Sequence, residues 1–147
     1  MRRSAFGYIY VLANPAMPHM VKIGKSRNAP HVRAAKLSRN TAVPAAFQVM
    51  FQYRVYDCDA IERLIHRALA YRRYTREREF YAVHPDLAVS LVRQVILSVA
   101  NAERDFLAGL SPLGRKLYEA RKARGDSPLY ELDKLGGKFW EKRLNSA

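Results

Sequence analysis

Two short strings near the start of the chain, residues 7–12 and 21–26, most constrain how it folds. The first reads Gly-Tyr-Ile-Tyr-Val-Leu, so Tyr8 and Tyr10 share one face of an extended segment and the residues between them share the other. The second reads Val-Lys-Ile-Gly-Lys-Ser and places Lys22 on the face away from its aliphatic neighbours. The residues between the strings include two prolines, which cannot lie inside a strand. The strings therefore predict an antiparallel pair of strands that brings two tyrosines and a lysine to one place.

The rest of the chain predicts one further long strand and several helices. Residues 47–56 alternate as a strand, an arginine-rich turn covers residues 71–78, and residues 79–83 fit a short strand. Asp59 is the expected N-cap of one helix and Gly109 the expected end of another. The helical stripes cover residues 30–37, 59–70 and 86–108, and Ser-Pro-Leu strings at 111–113 and 127–129 predict two more helix starts.

These elements predict an α/β protein of the α+β type. We expect a small, mainly antiparallel three-stranded sheet flanked by helices, with a C-terminal helical extension. Residues 1–83 form the expected domain, and residues 84–147 form the extension packed on it.

The charge distribution indicates a polyanionic partner. The 147 residues carry a net charge of +13, and no acidic residue precedes Asp57, whereas nine lysines and arginines do. A basic surface of this kind favours DNA, with RNA not excluded, over an acidic membrane. The sequence has no apolar run long enough to span a membrane and no signal-peptide pattern, and its single Cys58 fits a reducing compartment. We therefore expect a cytoplasmic, DNA-binding protein, and the oligomeric state stays open.

Five pieces of sequence, in order, resemble the GIY-YIG nuclease superfamily, and in particular its phage- and bacterium-borne branch. The resemblance covers about residues 6–83, more than half of the chain. The pieces are the string at 7–12, the string at 21–25, Arg33, Glu62 with His66, and the Arg-Glu-Phe string at 78–80. The resemblance implies a metal-dependent endonuclease that hydrolyses DNA phosphodiester bonds.

The resemblance also implies a role for each matching residue. Tyr10 matches the tyrosine of the first motif, whereas Lys22 stands where the second motif usually has a tyrosine. Arg33 matches the helical arginine, and Glu62 matches the glutamate that binds Mg²⁺ or Mn²⁺. Tyr8 shares the face of Tyr10 and is the second candidate for the catalytic tyrosine.

These roles agree with the chemistry of phosphodiester hydrolysis. Mg²⁺ takes one or two carboxylates together with waters and phosphate oxygens, which fits a single ion at Glu62. A cationic setting of Lys22, Arg33 and the metal favours the tyrosinate form of Tyr10, which then accepts a proton from water. Arg33 acts as a preorganised clamp for the phosphoryl oxygens. His66, one turn after Glu62, is a further candidate of this site.

Each of these residues also has an ordinary structural interpretation. Asp59 and Glu62 have the spacing of a helical capping box, Tyr8 and Tyr10 fit half-buried strand aromatics, and His66 fits a packing histidine. The corresponding alternative function is a non-catalytic DNA-binding module on the same scaffold. In either case we expect a phosphate-tracking surface formed by basic side chains. They are Lys25, Arg27, Lys36, Arg39, Arg63, Arg72, Arg73, Arg76 and Arg78.

Overall fold

The computed structural model describes residues 6–39, 44–75 and 78–124. The strands are β1 (Phe6–Ala13), β2 (Val21–Ser26), β3 (Gln48–Tyr56), β4 (Arg73–Thr75) and β5 (Arg78–Tyr81). The helices are α1 (Pro30–Ser38), α2 (Cys58–Ala68), α3 (Pro85–Ala108) and α4 (Pro112–Ala123), and one 3₁₀ turn covers Ala70–Arg72. The strands form one sheet in the order β3-β1-β2-β5-β4, and every neighbouring pair is antiparallel. The predicted α+β class is confirmed.

The sheet has two more strands than the three predicted. The expected hairpin is confirmed, since Tyr10 lies opposite Gly24 and Leu12 lies opposite Lys22. The short strand expected near residue 80 is β5, which pairs with β2. The interpretation of residues 71–78 as a turn was wrong for Arg73–Thr75, which pair with β5 as the edge strand β4. Three residues are too few to show an alternating apolar pattern, so the sequence did not separate this strand from the turn.

Side chains of β1 are buried on both faces of the sheet. Ile9 and Val11 belong to the larger core cluster, which also contains apolar residues of α2 and α3. Tyr10 and Leu12 face the other way and pack with Ala34 of α1 in a smaller cluster. The two faces of the sheet are therefore covered by different helices, with α2 and α3 on one side and α1 on the other.

The N-cap of α2 lies two residues before the expected one. Asp57, not Asp59, is the N-cap, and its carboxylate accepts a hydrogen bond of 3.1 Å from the backbone N–H of Ala60. Asp57 has a φ of 56°, the left-handed conformation, and it is the only non-glycine residue with positive φ in the described part of the chain. Aspartate tolerates this conformation better than most residues because its short polar side chain bonds locally. The capping-box interpretation of Asp59 and Glu62 was therefore wrong.

The N-cap residue Asp57 carries a buried carboxyl group. The side chain is buried, and burial raises the pKa of its carboxyl above the usual value despite the hydrogen bond from Ala60. A raised pKa in the folded state means that folding becomes less favourable as the pH rises through this range. Asp57→Asn keeps the cap and the left-handed conformation and removes the charge. We expect this variant to gain stability relative to the wild type as the pH rises from about 3 to about 7.

Urea unfolding at several pH values measures this difference. The control is Asp57→Ala, which removes the cap as well as the charge and is expected to be less stable than Asp57→Asn by about 1–2 kcal/mol at every pH. A difference between wild type and Asp57→Asn that does not change with pH would contradict the argument.

The C-terminal part of the described chain is a helical hairpin. α3 and its end at Gly109 agree with the prediction, and Ser111 caps α4 by accepting a hydrogen bond of 3.1 Å from Gly114 N–H. The rings of Phe106 and Tyr118 pack at 5.6 Å, and Lys122 donates to Glu103 at 2.9 Å. The helix start expected at Ser127 lies outside the described residues. The expected domain boundary after residue 83 stays a prediction.

No described helix combines the length and the apolar character that a membrane span requires.

Candidate functional site

A basic groove lies where β2 ends and α1 begins. Ser26 closes β2, and its hydroxyl accepts a hydrogen bond of 3.2 Å from Asn28 N–H, which turns the chain toward Pro30 at the start of α1. Arg33 and Lys36 lie three residues apart on α1 and therefore share one side of the helix. The groove has a volume of about 220 Å³ and is lined by Lys25, Ser26, Asn28, Val32, Arg33 and Lys36.

Two carboxylates of α2 meet the basic groove at Lys25. The Lys25 ammonium donates to Asp59 Oδ1 at 2.5 Å and lies 3.8 Å from Glu62 Oε1. Arg27 Nη2 lies 3.5 Å from the other oxygen of Asp59. The hydrogen bond to Asp59 raises the pKa of Lys25, and the same bond lowers the pKa of Asp59. Both groups are therefore charged over the whole physiological range.

Glu62 is the more buried of these two carboxylates. Its side chain is 14% exposed, compared with 43% for Asp59. Burial of a carboxylate is costly unless a cation or a hydrogen bond compensates for the lost water. Lys25 supplies part of that compensation for the largely buried Glu62 carboxylate.

Tyr10 and Lys22 lie on the sheet face that α1 covers. Tyr10 is 1% exposed and Lys22 is 8% exposed, and the Lys22 ammonium lies 5.4 Å from the centre of the Phe80 ring, within the range of a cation–π contact. Tyr8 is half-buried on the same face, opposite Ser26 of β2 and Arg54 of β3. Glu62 lies on α2, which packs on the other face. The structure thus brings Lys25 next to Arg33 in the groove and next to Glu62 of α2. It buries Tyr10 and Lys22 beneath α1, on the sheet face opposite α2.

His66 packs against an aromatic ring. Its ring meets that of Tyr81 edge to face, with centroids 5.6 Å apart and planes at 78°. Tyr81 is fully buried in the larger core cluster. The structure thus shows a packing contact of His66, and its part in the site stays a prediction.

The basic residues expected to track phosphates fall into two groups. The first group is exposed and consists of Lys25 and Lys36, which line the basic groove, and of Arg27 and Arg39, which follow β2 and α1 in the chain. In the second group, Arg63 is exposed on α2, whereas Arg72 and Arg73 are half-buried, with the Arg72 guanidinium 5.2 Å from the centre of the Tyr71 ring. Arg78 lies in β5, and Arg76 lies outside the described residues.

Sequence reasoning missed the connection between the groove and the carboxylates. From the sequence, Lys25 is assigned to DNA contacts and Asp59 to the helix cap. One signal was available, since Asp59 and Glu62 are three residues apart and therefore share one face of a helix. Their meeting with Lys25 depends on how α2 docks, which no local pattern encodes.

The donor set fits one type of metal ion. Asp59 and Glu62 converge on a common cation, the Lys25 ammonium. In the part of the chain that the structure describes, no three His, Cys, Asp or Glu side chains cluster so that they could hold a metal. A site with two carboxylates suits an oxygen-loving ion that completes its shell with water and phosphate, as Mg²⁺ does. It does not suit an ion that needs a full cage of protein ligands.

Comparison with known proteins gives one match. Residues 7–96, more than half of the chain, match the family described as the T5orf172 domain. No curated protein and no solved structure matches.

Proposed function

Because the chain belongs to the T5orf172 domain family, we propose that it is a metal-dependent endonuclease that hydrolyses DNA phosphodiester bonds at a single-ion site. The family is linked to nuclease-like phage domains of the GIY-YIG type, in agreement with the resemblance of the motif strings. The observation that carries the proposal is the position of Lys25, which lies 3.8 Å from the Glu62 carboxylate and also lines the basic groove with Arg33 and Lys36.

Each part of the site has a separate task in this proposal. The groove cations bind the phosphate backbone, and Arg33 stabilises the charge that develops on the phosphoryl oxygens. Glu62, with Asp59 beside it, holds Mg²⁺ or Mn²⁺, which supplies Lewis-acid stabilisation of that charge when bound. The resemblance gives the role of proton acceptor to Tyr10, with Lys22 on the same face. Because Tyr10 is 1% exposed and lies on the sheet face opposite α2, the proposal rests on Glu62 and the groove cations rather than on Tyr10.

A cytoplasmic location is part of the proposal. Cys58 is 2% exposed, and burial raises the pKa of its thiol, so it behaves as a small core residue suited to a reducing compartment.

Cleavage assays test the proposal. Duplex, single-stranded and branched DNA are incubated with the protein in Mg²⁺, in Mn²⁺ or in EDTA, and we expect cutting only with a metal ion. Arg33→Ala is expected to lower the single-turnover rate by about 10²-fold, since it removes one preorganised donor. The matched control is Arg93→Ala, an exposed arginine of α3. The proposal fails if the wild type cuts none of these substrates, or if Arg33→Ala cuts as fast as the wild type.

A second candidate function is DNA binding without cleavage. The observation that favours it is the engagement of Asp59 by both Lys25 and Arg27, which neutralises the acidic side of the site. This candidate predicts that the logarithm of the DNA affinity falls linearly with the logarithm of the salt concentration. It also predicts no DNA cleavage with any metal ion. Binding of Mn²⁺ at Glu62 together with cleavage would exclude it.

A further inference from the structure

Lys25 contacts the carboxylates of α2 and also lines the basic groove. Its ammonium contacts Asp59 Oδ1 at 2.5 Å and lies 3.8 Å from Glu62 Oε1, on the acidic side of the site. Its side chain also lines the basic groove together with Arg33 and Lys36. The side chain is 40% exposed, so solvent gives it room to move between the two sides.

We propose that Lys25 and the divalent ion compete for the Asp59 and Glu62 carboxylates, and that the displaced ammonium turns into the groove to bind a DNA phosphate. This inference rests on the proposed metal site and names how that site is regulated. Lys25 is a positioning residue in this scheme, because it controls access to the carboxylates.

The electrostatics support an exchange of this kind. An ammonium that bridges two carboxylates occupies the position in which their oxygens also favour a doubly charged ion. An exposed ion pair is worth no more than about 1 kcal/mol, so the ion displaces Lys25 at small cost. Lysine suits the task because its charge is compact and its four-carbon stem is flexible.

The exchange couples the two ligands of the site. Without the ion, Lys25 is held by the acidic residues and adds little to the groove. With the ion bound, Lys25 joins Arg33 and Lys36 as a third cation of the groove. A phosphate in the groove in turn keeps Lys25 away from the carboxylates. Coupling of this kind is reciprocal, so DNA strengthens ion binding by the same factor as the ion strengthens DNA binding.

Mn²⁺ titration without DNA, followed by electron paramagnetic resonance of the free ion, tests the competition. Lys25→Met is expected to bind Mn²⁺ roughly three- to fivefold more tightly than the wild type, since the ion no longer breaks an ion pair. Lys25→Arg keeps the charge and is expected to bind like the wild type. Lys36→Met removes one charge from the same groove without touching the carboxylates and is expected to change the affinity less than about twofold.

An Asp59→Asn background separates the competition from a general effect of charge. There the gain from Lys25→Met is expected to fall by more than half, because one of the two contested carboxylates is gone. Equal gains from Lys25→Met and Lys36→Met, a gain unchanged in the Asp59→Asn background, or no Mn²⁺ binding by any variant would overturn the proposal. These titrations use no DNA and no turnover, so their outcome is independent of whether the protein cleaves DNA.

Fluorescence anisotropy with a short DNA duplex tests whether the displaced Lys25 ammonium binds a DNA phosphate. At constant ionic strength, Ca²⁺ is expected to strengthen DNA binding by the wild type roughly fivefold more than by Lys25→Met. An equal response of the two proteins to Ca²⁺ would show that Lys25 does not enter the groove.

Discussion

Glu62→Gln is expected to reduce metal-dependent DNA cleavage by about 10³-fold or more. Glutamine keeps the size of the side chain and one carbonyl oxygen, but it removes the charge that holds the ion. Metal stabilisation of phosphoryl charge is worth several kcal/mol, and each 1.36 kcal/mol of lost stabilisation is tenfold in rate. Single-turnover cleavage at saturating DNA, over a range of Mn²⁺ concentrations, measures the loss.

The dependence of the Glu62→Gln cleavage rate on Mn²⁺ concentration shows whether Glu62 binds the ion. If Glu62 binds the ion, high Mn²⁺ restores part of the rate in Glu62→Gln. The matched control is Glu119→Gln, an exposed glutamate of α4, which is expected to cut like the wild type. Cleavage by Glu62→Gln at the wild-type rate would remove Glu62 from the site. Loss of cleavage in both variants would point to a shared effect on folding, which the melting temperatures would reveal.

The parts of the fold with local signals were predictable from the sequence. The alternation of residues 7–12 predicted which side chains of β1 lie on each face, and the structure separates Ile9 from Tyr10 in that way. The end of α3 at Gly109 and the N-cap of α4 at Ser111 each depend on the residue type at one position. The edge strand β4 has no such signal, because its three residues are too few to show alternation before they pair with β5.

The sequence names candidate members of the site but not their arrangement. Arg33 and Glu62 are candidates because of the order of the motifs, and their roles stay predictions. The contact of Lys25 with Asp59 joins residues 34 positions apart and depends on the docking of α2 against β1 and β2. The near-complete burial of Tyr10 likewise depends on how α1 covers the sheet, which the alternation of β1 alone does not determine.

Gly7 is the residue that allows α2 to dock so closely. A Cβ atom on Gly7 would lie 2.6 Å from Cys58 Sγ, 3.0 Å from the backbone oxygen of Ser26 and 3.2 Å from Cys58 Cβ. Cys58 is the first residue of α2, so the absence of a side chain at Gly7 sets how near the start of this helix lies to β1. The position of Asp59 and Glu62 relative to Lys25 depends on the same contact.

Gly7→Ala is therefore expected to destabilise the fold by about 2–3 kcal/mol, the upper part of the range for overpacked cores. The comparison variant is Gly109→Ala, whose new Cβ would meet only atoms at 3.6 Å or beyond, at a φ of −83° that alanine adopts readily. That variant is expected to be neutral or stabilising by about 0.5 kcal/mol. Urea unfolding of both proteins measures the two effects.

A double-mutant cycle with Cys58→Ala locates the cause of the Gly7 effect. Without the sulfur, the closest of the three contacts disappears, and the cost of Gly7→Ala is expected to fall by about half or more. The contact with the backbone of Ser26 remains, so the cost does not vanish. If Gly7→Ala costs as much in the Cys58→Ala background as in the wild type, the helix start is not what Gly7 accommodates. Because the same helix carries Glu62, the single variant is also expected to lose cleavage at temperatures where it is still folded, and Cys58→Ala is expected to restore part of it.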